Sequence, residues 1–318
     1  MVRGGTVATL SSAVDGRFGV IRDGALAVVG DRIEWVGPER DAPSGLLADP
    51  AETVELEGRW ATPGLVDAHT HLVFGGHRAE EFALRLQGVS YQEIARRDGG
   101  ILATVRATRR STSEELLAGG QRRLETMIDH GLTTVEVKSG YGLDTETELR
   151  MLRVARSLEA RTGVTVRTTL LAAHAVPPEY QGDRTAYLDQ VCQDLIPAAA
   201  ADGLADAVDA FCESIAFTPS ECERVLRTGA REGLDLRLHA DQLEDGGGAA
   251  LAARLRARSA DHLEYASDEG VAAMGAAGTA AVLLPGAYLT LRESHPPPVD
   301  ALRREGVPMV VATDLNPG

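Results

Sequence analysis

Five of the eight histidines in this chain, His69, His71, His174, His239 and His262, close short apolar runs, and so does Asp314. In Pro63-Gly-Leu-Val-Asp-Ala-His69-Thr-His71 the two histidines stand one residue apart. Side chains alternate along a strand, so both imidazoles project from one face and can pinch a metal ion. An isolated HxH equally describes two exposed loop histidines; the apolar run that leads into it favours ligands. In Leu234-Asp-Leu-Arg-Leu-His239 the leucines share one parity, and Asp235, Arg237 and His239 the other, so His239 can face an interior. Val310-Val-Ala-Thr-Asp314 ends an apolar run on a carboxylate, which alone would read as a helix cap. Together, three neutral imidazoles and one carboxylate suit Zn2+ or Fe2+ better than Mg2+ or Ca2+, with one position left for water. A metal of this kind lowers the pKa of bound water from 15.7 to about 7, which removes roughly 12 kcal/mol of deprotonation cost. No G-x-S-x-G nucleophile elbow competes with that chemistry.

The elements that position these groups alternate. Strand-like runs at Gly64–His69, Thr133–Lys138, Thr165–Ala173, Ala207–Glu213, Asp235–His239, Ser259–His262, Thr279–Pro285 and Pro308–Asp314 are separated by helical stretches such as Ser113–His130, Thr145–Arg161, Pro219–Glu232, Gly246–Arg256 and Ser267–Ala277. Eight strands alternating with helices predict an α/β fold, a (β/α)8 TIM-like barrel, with its chemistry where strands end. A doubly wound open sheet is the alternative, but no GxGxxG follows the first strand. Residues 1–58 differ. Ala25–Val29 and Arg32–Val36 flank Gly30-Asp31 as a hairpin, and Thr53–Glu57 alternates with period two. The expected domains are therefore 1–58, part of a small β-sandwich domain, and 59–318, the barrel.

Composition narrows the function classes. Lys+Arg is 32 against 47 Asp+Glu, a formal charge of −15, so neither a basic nucleic-acid footprint nor a polybasic membrane patch is expected. Aromatics are only 4% of residues, so the core must be aliphatic and rich in alanine. Cys192, Cys212 and Cys222 form no CxxC, and the N-terminus lacks the apolar stretch of a secretory signal. Both features point to a reducing cytoplasm.

With Gly64-Leu-Val-Asp-Ala-His69-Thr-His71, His239, His262 and Asp314, the chain resembles the amidohydrolase superfamily. Val73-Phe-Gly-Gly-His-Arg78, Leu86-Gln-Gly-Val-Ser-Tyr91, Gly99–Val105, Glu136-Val-Lys-Ser-Gly-Tyr-Gly142, Ala173-His-Ala-Val-Pro-Pro-Glu-Tyr180, His239-Ala-Asp241 and Ala312-Thr-Asp-Leu-Asn-Pro-Gly318 resemble, more narrowly, the imidazolonepropionase family. The resemblance runs from about residue 60 to the last residue. It implies one metal, Zn or Fe, held by His69, His71, His239 and Asp314. The implied reaction is hydrolysis of 4-imidazolone-5-propanoate to N-formimidoyl-L-glutamate, the third step of histidine degradation. It also implies a homodimer. Within that frame Arg78 is expected to clamp the propanoate, its alternative being a surface ion pair with Glu80 or Glu81. Tyr141 and His174 contact substrate, and His262 orients or deprotonates the water. Asp314 carries a proton to the leaving ring nitrogen, and Asn316 and Gly318 sit where the family binds product.

Two positions discriminate. Gln242 stands where cytosine and adenosine deaminase relatives carry a Glu. Gln cannot exchange a proton at pH 7, which counts against nucleobase deamination, the alternative reading beside a catalytically inactive binding barrel. Lys138 ends the second strand, not the fourth, where dinuclear relatives place a bridging carboxylated lysine. Glu213 ends the fourth and leaves a second metal open; a single metal is the favoured reading. The eighth strand ends close to residue 318, so the closing helix and the family's returning C-terminal strands are expected to be missing, with a poorly buried core in consequence.

Overall fold

The computed structural model describes residues 1–47, 50–89, 93 and 99–318. Of the motifs above, Ser90 and Tyr91 lie outside the described residues. The chain divides into two compact units, Met1–Leu65 and Val66–Gly318.

The N-terminal unit is one five-stranded sheet. Strands β1 (Val2–Ala8), β2 (Val20–Val29), β3 (Arg32–Pro38) and β4 (Val54–Glu55) lie in the order β3-β2-β1-β4, and β5 (Trp60–Ala61) pairs with β1 further along. The predicted hairpin forms, with Val29 opposite Arg32 across the two-residue Gly30-Asp31 turn. Strand β1 has no sequence signal because Gly4 and Gly5 interrupt it, and its pairing with β2 is irregular at that point.

In the second unit eight parallel strands follow one another around a barrel: β6 (Leu65–Asp67), β7 (Leu132–Lys138), β8 (Thr165–Ala173), β9 (Ala207–Cys212), β10 (Asp235–Ala240), β11 (Ser259–His262), β12 (Ala280–Leu283) and β13 (Met309–Val311). All eight expected strands are present. The eighth ends at Val311, short of Asp314, and the first is also shorter than expected, ending at Asp67 and not at His69. Beyond it the backbone bonds to the segment that follows β13: Asp314 N–H donates to His69 O at 3.0 Å and His71 N–H to Leu315 O at 2.8 Å. These contacts close the barrel, and they place the segments that carry His69, His71 and Asp314 side by side.

The helices start where side chains satisfy their free N–H groups. Thr112 and Thr218 each form a capping box, with Glu115 and Glu221, while Asp144 and Ser267 cap the helices Thr145–Thr162 and Asp268–Ala277. The main core lies between strands and helices. Leu236 and Leu238 of β10 are buried there with Val225 and Leu226, which leaves the opposite parity to the barrel interior. Cys192, Cys212 and Cys222 are buried free thiols. Among the described residues no helix is long and apolar enough to cross a membrane.

Candidate metal centre and substrate cavity

At the C-terminal ends of the strands four rings crowd together. The ring centroid of His69 lies 5.4 Å from that of His71, 4.5 Å from that of His239 and 5.7 Å from that of His262. Asp314 Oδ1 is 3.5 Å from His69 Nε2 and 3.6 Å from His71 Nε2. Ligand atoms of His69, His71 and Asp314 fall within 4.8 Å of one another, as do those of His69, His239 and His262. Buried His69 Nε2 makes no hydrogen bond. Converging nitrogens with one carboxylate oxygen are a donor set that a transition metal satisfies.

Electrostatics agree with that fit. Burial and Lys138 push the His69 imidazole down, yet the carboxylates of Asp261 and Asp314 lift it to about 9. Without a metal, then, a proton supplies the positive charge these acids demand. Burial disfavours the Asp314 carboxylate, but His69 and His71 hold it well below the usual carboxylate range. Burial keeps His71 neutral. Burial, then repulsion from His239, drives His174 down to about 3, and burial sends His262 to about 3. Neutral imidazoles are what a ligand or a proton acceptor must be.

A cavity of 280 Å3 opens above this cluster. Of the eleven residues singled out from sequence, ten line it: His71, Arg78, Tyr141, His174, His239, Gln242, His262, Asp314, Asn316 and Gly318. The eleventh, His69, is fully buried against the others. The backbone is unusual here, since His262 and Asp314 both adopt positive φ, 78° and 51°. Such conformations cost about 1–3 kcal/mol each and persist only where surrounding contacts dictate them.

Arg78 is buried, and among the described residues no carboxylate pairs with it. Glu81 accepts instead from Gly100 N at 3.0 Å. The guanidinium meets Asn316 Oδ1 at 3.3 Å, and Gly318 passes so close that a Cβ there would lie 2.6 Å from Arg78 Nη2. Tyr141 is 2% exposed within a turn fastened by Glu148, whose carboxylate accepts from Gly140 N at 2.9 Å, Gly142 N at 2.7 Å and Leu143 N at 2.8 Å. Gly140 needs φ +104°, and a Cβ would meet His174 Nδ1 at 2.9 Å. Its carbonyl instead accepts from His174 Nδ1 at 2.9 Å.

Sequence reasoning missed the supports. Asp261 Oδ2 lies 2.7 Å from His69 Nδ1, and Asp209 Oδ2 lies 2.9 Å from His239 Nδ1. Parity places them: Asp209 shares the inward register of β9 with Phe211, and Asp261 shares its register on β11 with Ser259, whose hydroxyl donates to it. Lys138 is enclosed by carboxylates, away from the cavity, and Glu213 accepts from Gln242 N at 2.6 Å. Glu264, also unremarked, is 2% exposed with Oε2 4.0 Å from His262 Nδ1.

Residues 60–316 match the family model described as amidohydrolase family. The chain belongs to the amidohydrolase family. Within it, the chain is 54% identical over 303 residues to an imidazolonepropionase of Pseudomonas aeruginosa, covering 95% of this chain and 75% of that one. It is 55% identical over 312 residues to an imidazolonepropionase of Methylobacterium nodulans, covering 98% and 77%. Among solved amidohydrolase-like structures, it superposes on an atrazine chlorohydrolase variant from Arthrobacter aurescens complexed with zinc (TM-score 0.71, 16% identity, 98% of this chain and 71% of that one). It also superposes on a zinc-bound adenosine deaminase from Xanthomonas campestris (TM-score 0.66, 18% identity, 98% and 68%). At such identities these two speak for the fold alone.

Proposed function

We propose that this amidohydrolase opens the cyclic amide C–N bond of 4-imidazolone-5-propanoate by hydrolysis, yielding N-formimidoyl-L-glutamate in the third step of histidine degradation. The observation that carries the reading is one cavity holding both a metal-type donor set and a buried guanidinium without a carboxylate partner among the described residues. An anionic, ring-shaped substrate needs both.

His69, His71, His239 and Asp314 would hold the metal, Zn2+ or Fe2+. When bound, such an ion supplies Lewis acidity, polarising a carbonyl and bringing the pKa of water to about 7. Arg78 binds the propanoate through its planar fork, held in place by Asn316 and by the close approach of Gly318. Tyr141 donates its hydroxyl to the substrate. Since His174 Nδ1–H donates to Gly140 O, its Nε2 is an acceptor for a ring N–H. His262, neutral by burial, takes the proton of the attacking water. Asp314, a carboxylate at rest, takes the second proton of that water and passes it to the departing ring nitrogen. Gln242 can hydrogen-bond the ring but cannot exchange a proton with it, so the acid–base work rests on His262 and Asp314.

The test is one preparation of the chain, loaded in parallel with Zn2+ or Fe2+, on which metal content and loss of 4-imidazolone-5-propanoate are both measured. Turnover proportional to bound metal is expected. Metal-replete protein that leaves this substrate untouched would refute the proposal. Ammonia release from cytosine, guanine or adenosine would replace it with a deaminase.

A further inference from the structure

Two of the proposed ligands are oriented by acids that share one base. Asp261 Oδ2 engages His69 Nδ1 at 2.7 Å, and Asp209 Oδ2 lies 2.9 Å from His239 Nδ1. These same two oxygens converge on Lys138 Nζ, at 2.8 Å for Asp209 and 3.4 Å for Asp261. The third partner of the ammonium is Glu136 Oε1 at 2.9 Å. The side chains of Lys138, Asp209 and Asp261 have no exposed surface. Each acid is pinned elsewhere as well. Asp209 Oδ1 accepts from His239 N at 3.1 Å, and Asp261 Oδ1 accepts from Ser259 Oγ at 2.6 Å. Glu136 Oε1 accepts from Thr169 Oγ1 at 2.5 Å.

We infer that Lys138 is a positioning residue of the metal centre: one ammonium on β7 fixes the two carboxylates, on β9 and β11, that orient His239 and His69. An ammonium carries three donors, and here it meets three carboxylates. Nδ1 of His69 is hydrogen-bonded to its acid and Nδ1 of His239 lies in ion-pair contact with its own, so Nε2 is the atom left to ligate, and the acid makes it a better donor. Arg237 does not duplicate this role, because its guanidinium is bound to Ala68 O at 2.8 Å and faces Glu136 at 3.4 Å. A neutral side chain at 138 would leave two buried carboxylates to repel each other and carry their imidazoles apart.

The inference rests on the metal reading above, so its test reads metal directly. Lys138→Met is compared with the unaltered chain for Co2+ affinity, by chelator competition, and for the ligand-field spectrum of bound Co2+. A 10- to 100-fold loss of affinity is expected, in the range for ligand-orienting partners, together with a changed spectrum. Asp209→Asn and Asp261→Asn keep the shape and serve if Lys138→Met does not fold; each should show the same loss. Combining Lys138→Met with Asp261→Asn should cost less than the two losses added, because both act through one chain of contacts. A folded Lys138→Met with unchanged affinity and spectrum overturns the inference, as do two Asn variants that bind like the parent. An unaltered chain that binds no Co2+ overturns the metal reading itself, and this inference with it.

Discussion

Thr313 donates its hydroxyl to Asp67 Oδ2 at 2.6 Å and its backbone N–H to Oδ1 of the same carboxylate at 3.2 Å. Asp67 Oδ1 also accepts from His69 N at 3.3 Å. One buried acid at the end of β6 therefore ties the residue before Asp314 to the residue that begins the HxH. Thr313→Val keeps the volume and removes the hydroxyl. Urea denaturation should show a loss of about 1–2 kcal/mol, and metal affinity should fall with it, since the seam sets the spacing of His69, His71 and Asp314.

Arg78→Ala removes the proposed propanoate clamp. Charge-assisted hydrogen bonds are worth about 1.5–3 kcal/mol, so KM should rise by roughly 10- to 150-fold with kcat much less affected. Arg78→Lys keeps the charge without the fork and should recover only part of the loss. Steady-state kinetics of the metal-loaded protein decides; a kcat effect with unchanged KM would place Arg78 elsewhere in the reaction.

Glu148→Gln strips the Gly140–Leu143 turn of its anion. Gln offers one acceptor oxygen where the carboxylate serves three backbone donors, and its amide would face an N–H. Stability should drop by about 2 kcal/mol. Hydrogen exchange should quicken at residues 140–143 before the rest of the barrel.

Glu264 and Glu213 give the metal-free protein a pH dependence. Burial raises Glu264 to about 8 and Glu213 to about 7 from the ordinary 4.5. Between 4.5 and these values the folded chain holds protons that the unfolded chain has released. Stability is therefore greatest at low pH as far as these groups are concerned, and falls as pH rises until each folded pKa is passed. Glu264→Gln should flatten the decline between pH 7 and pH 8, where Glu213 contributes less and His69, raised to about 9, supplies the slope that remains. Urea midpoints of chelator-treated protein at pH 7, 8 and 9 measure this; an unchanged slope would mean that Glu264 ionises like an exposed carboxylate.

Alternation made most of the barrel legible. Leu234, Leu236 and Leu238 against Arg237 and His239 announce a strand with one lipophilic and one working face, and His239 follows from that register. What alternation cannot reveal is partnership across the barrel. His69 and Asp261 are separated by 192 residues, Lys138 and Asp209 by 71, and Thr313 and Asp67 by 246. A lone buried acid in a strand carries no local mark of which imidazole it will hold. The first barrel strand reads too long from sequence for a related reason. Its hydrogen bonds beyond Asp67 go to residues that follow β13, and no pattern within Gly64–His71 records that.

His69 has no surface of its own on solvent, while its proposed co-ligands floor the cavity. The arrangement is a blind well, with the proposed cation site at the bottom and the proposed substrate site at the mouth. On that proposal loading should be ordered, ion before substrate, with bound substrate as a stopper. A chelator would then wait for it to leave, so metal should be lost more slowly from an enzyme at work than from one at rest.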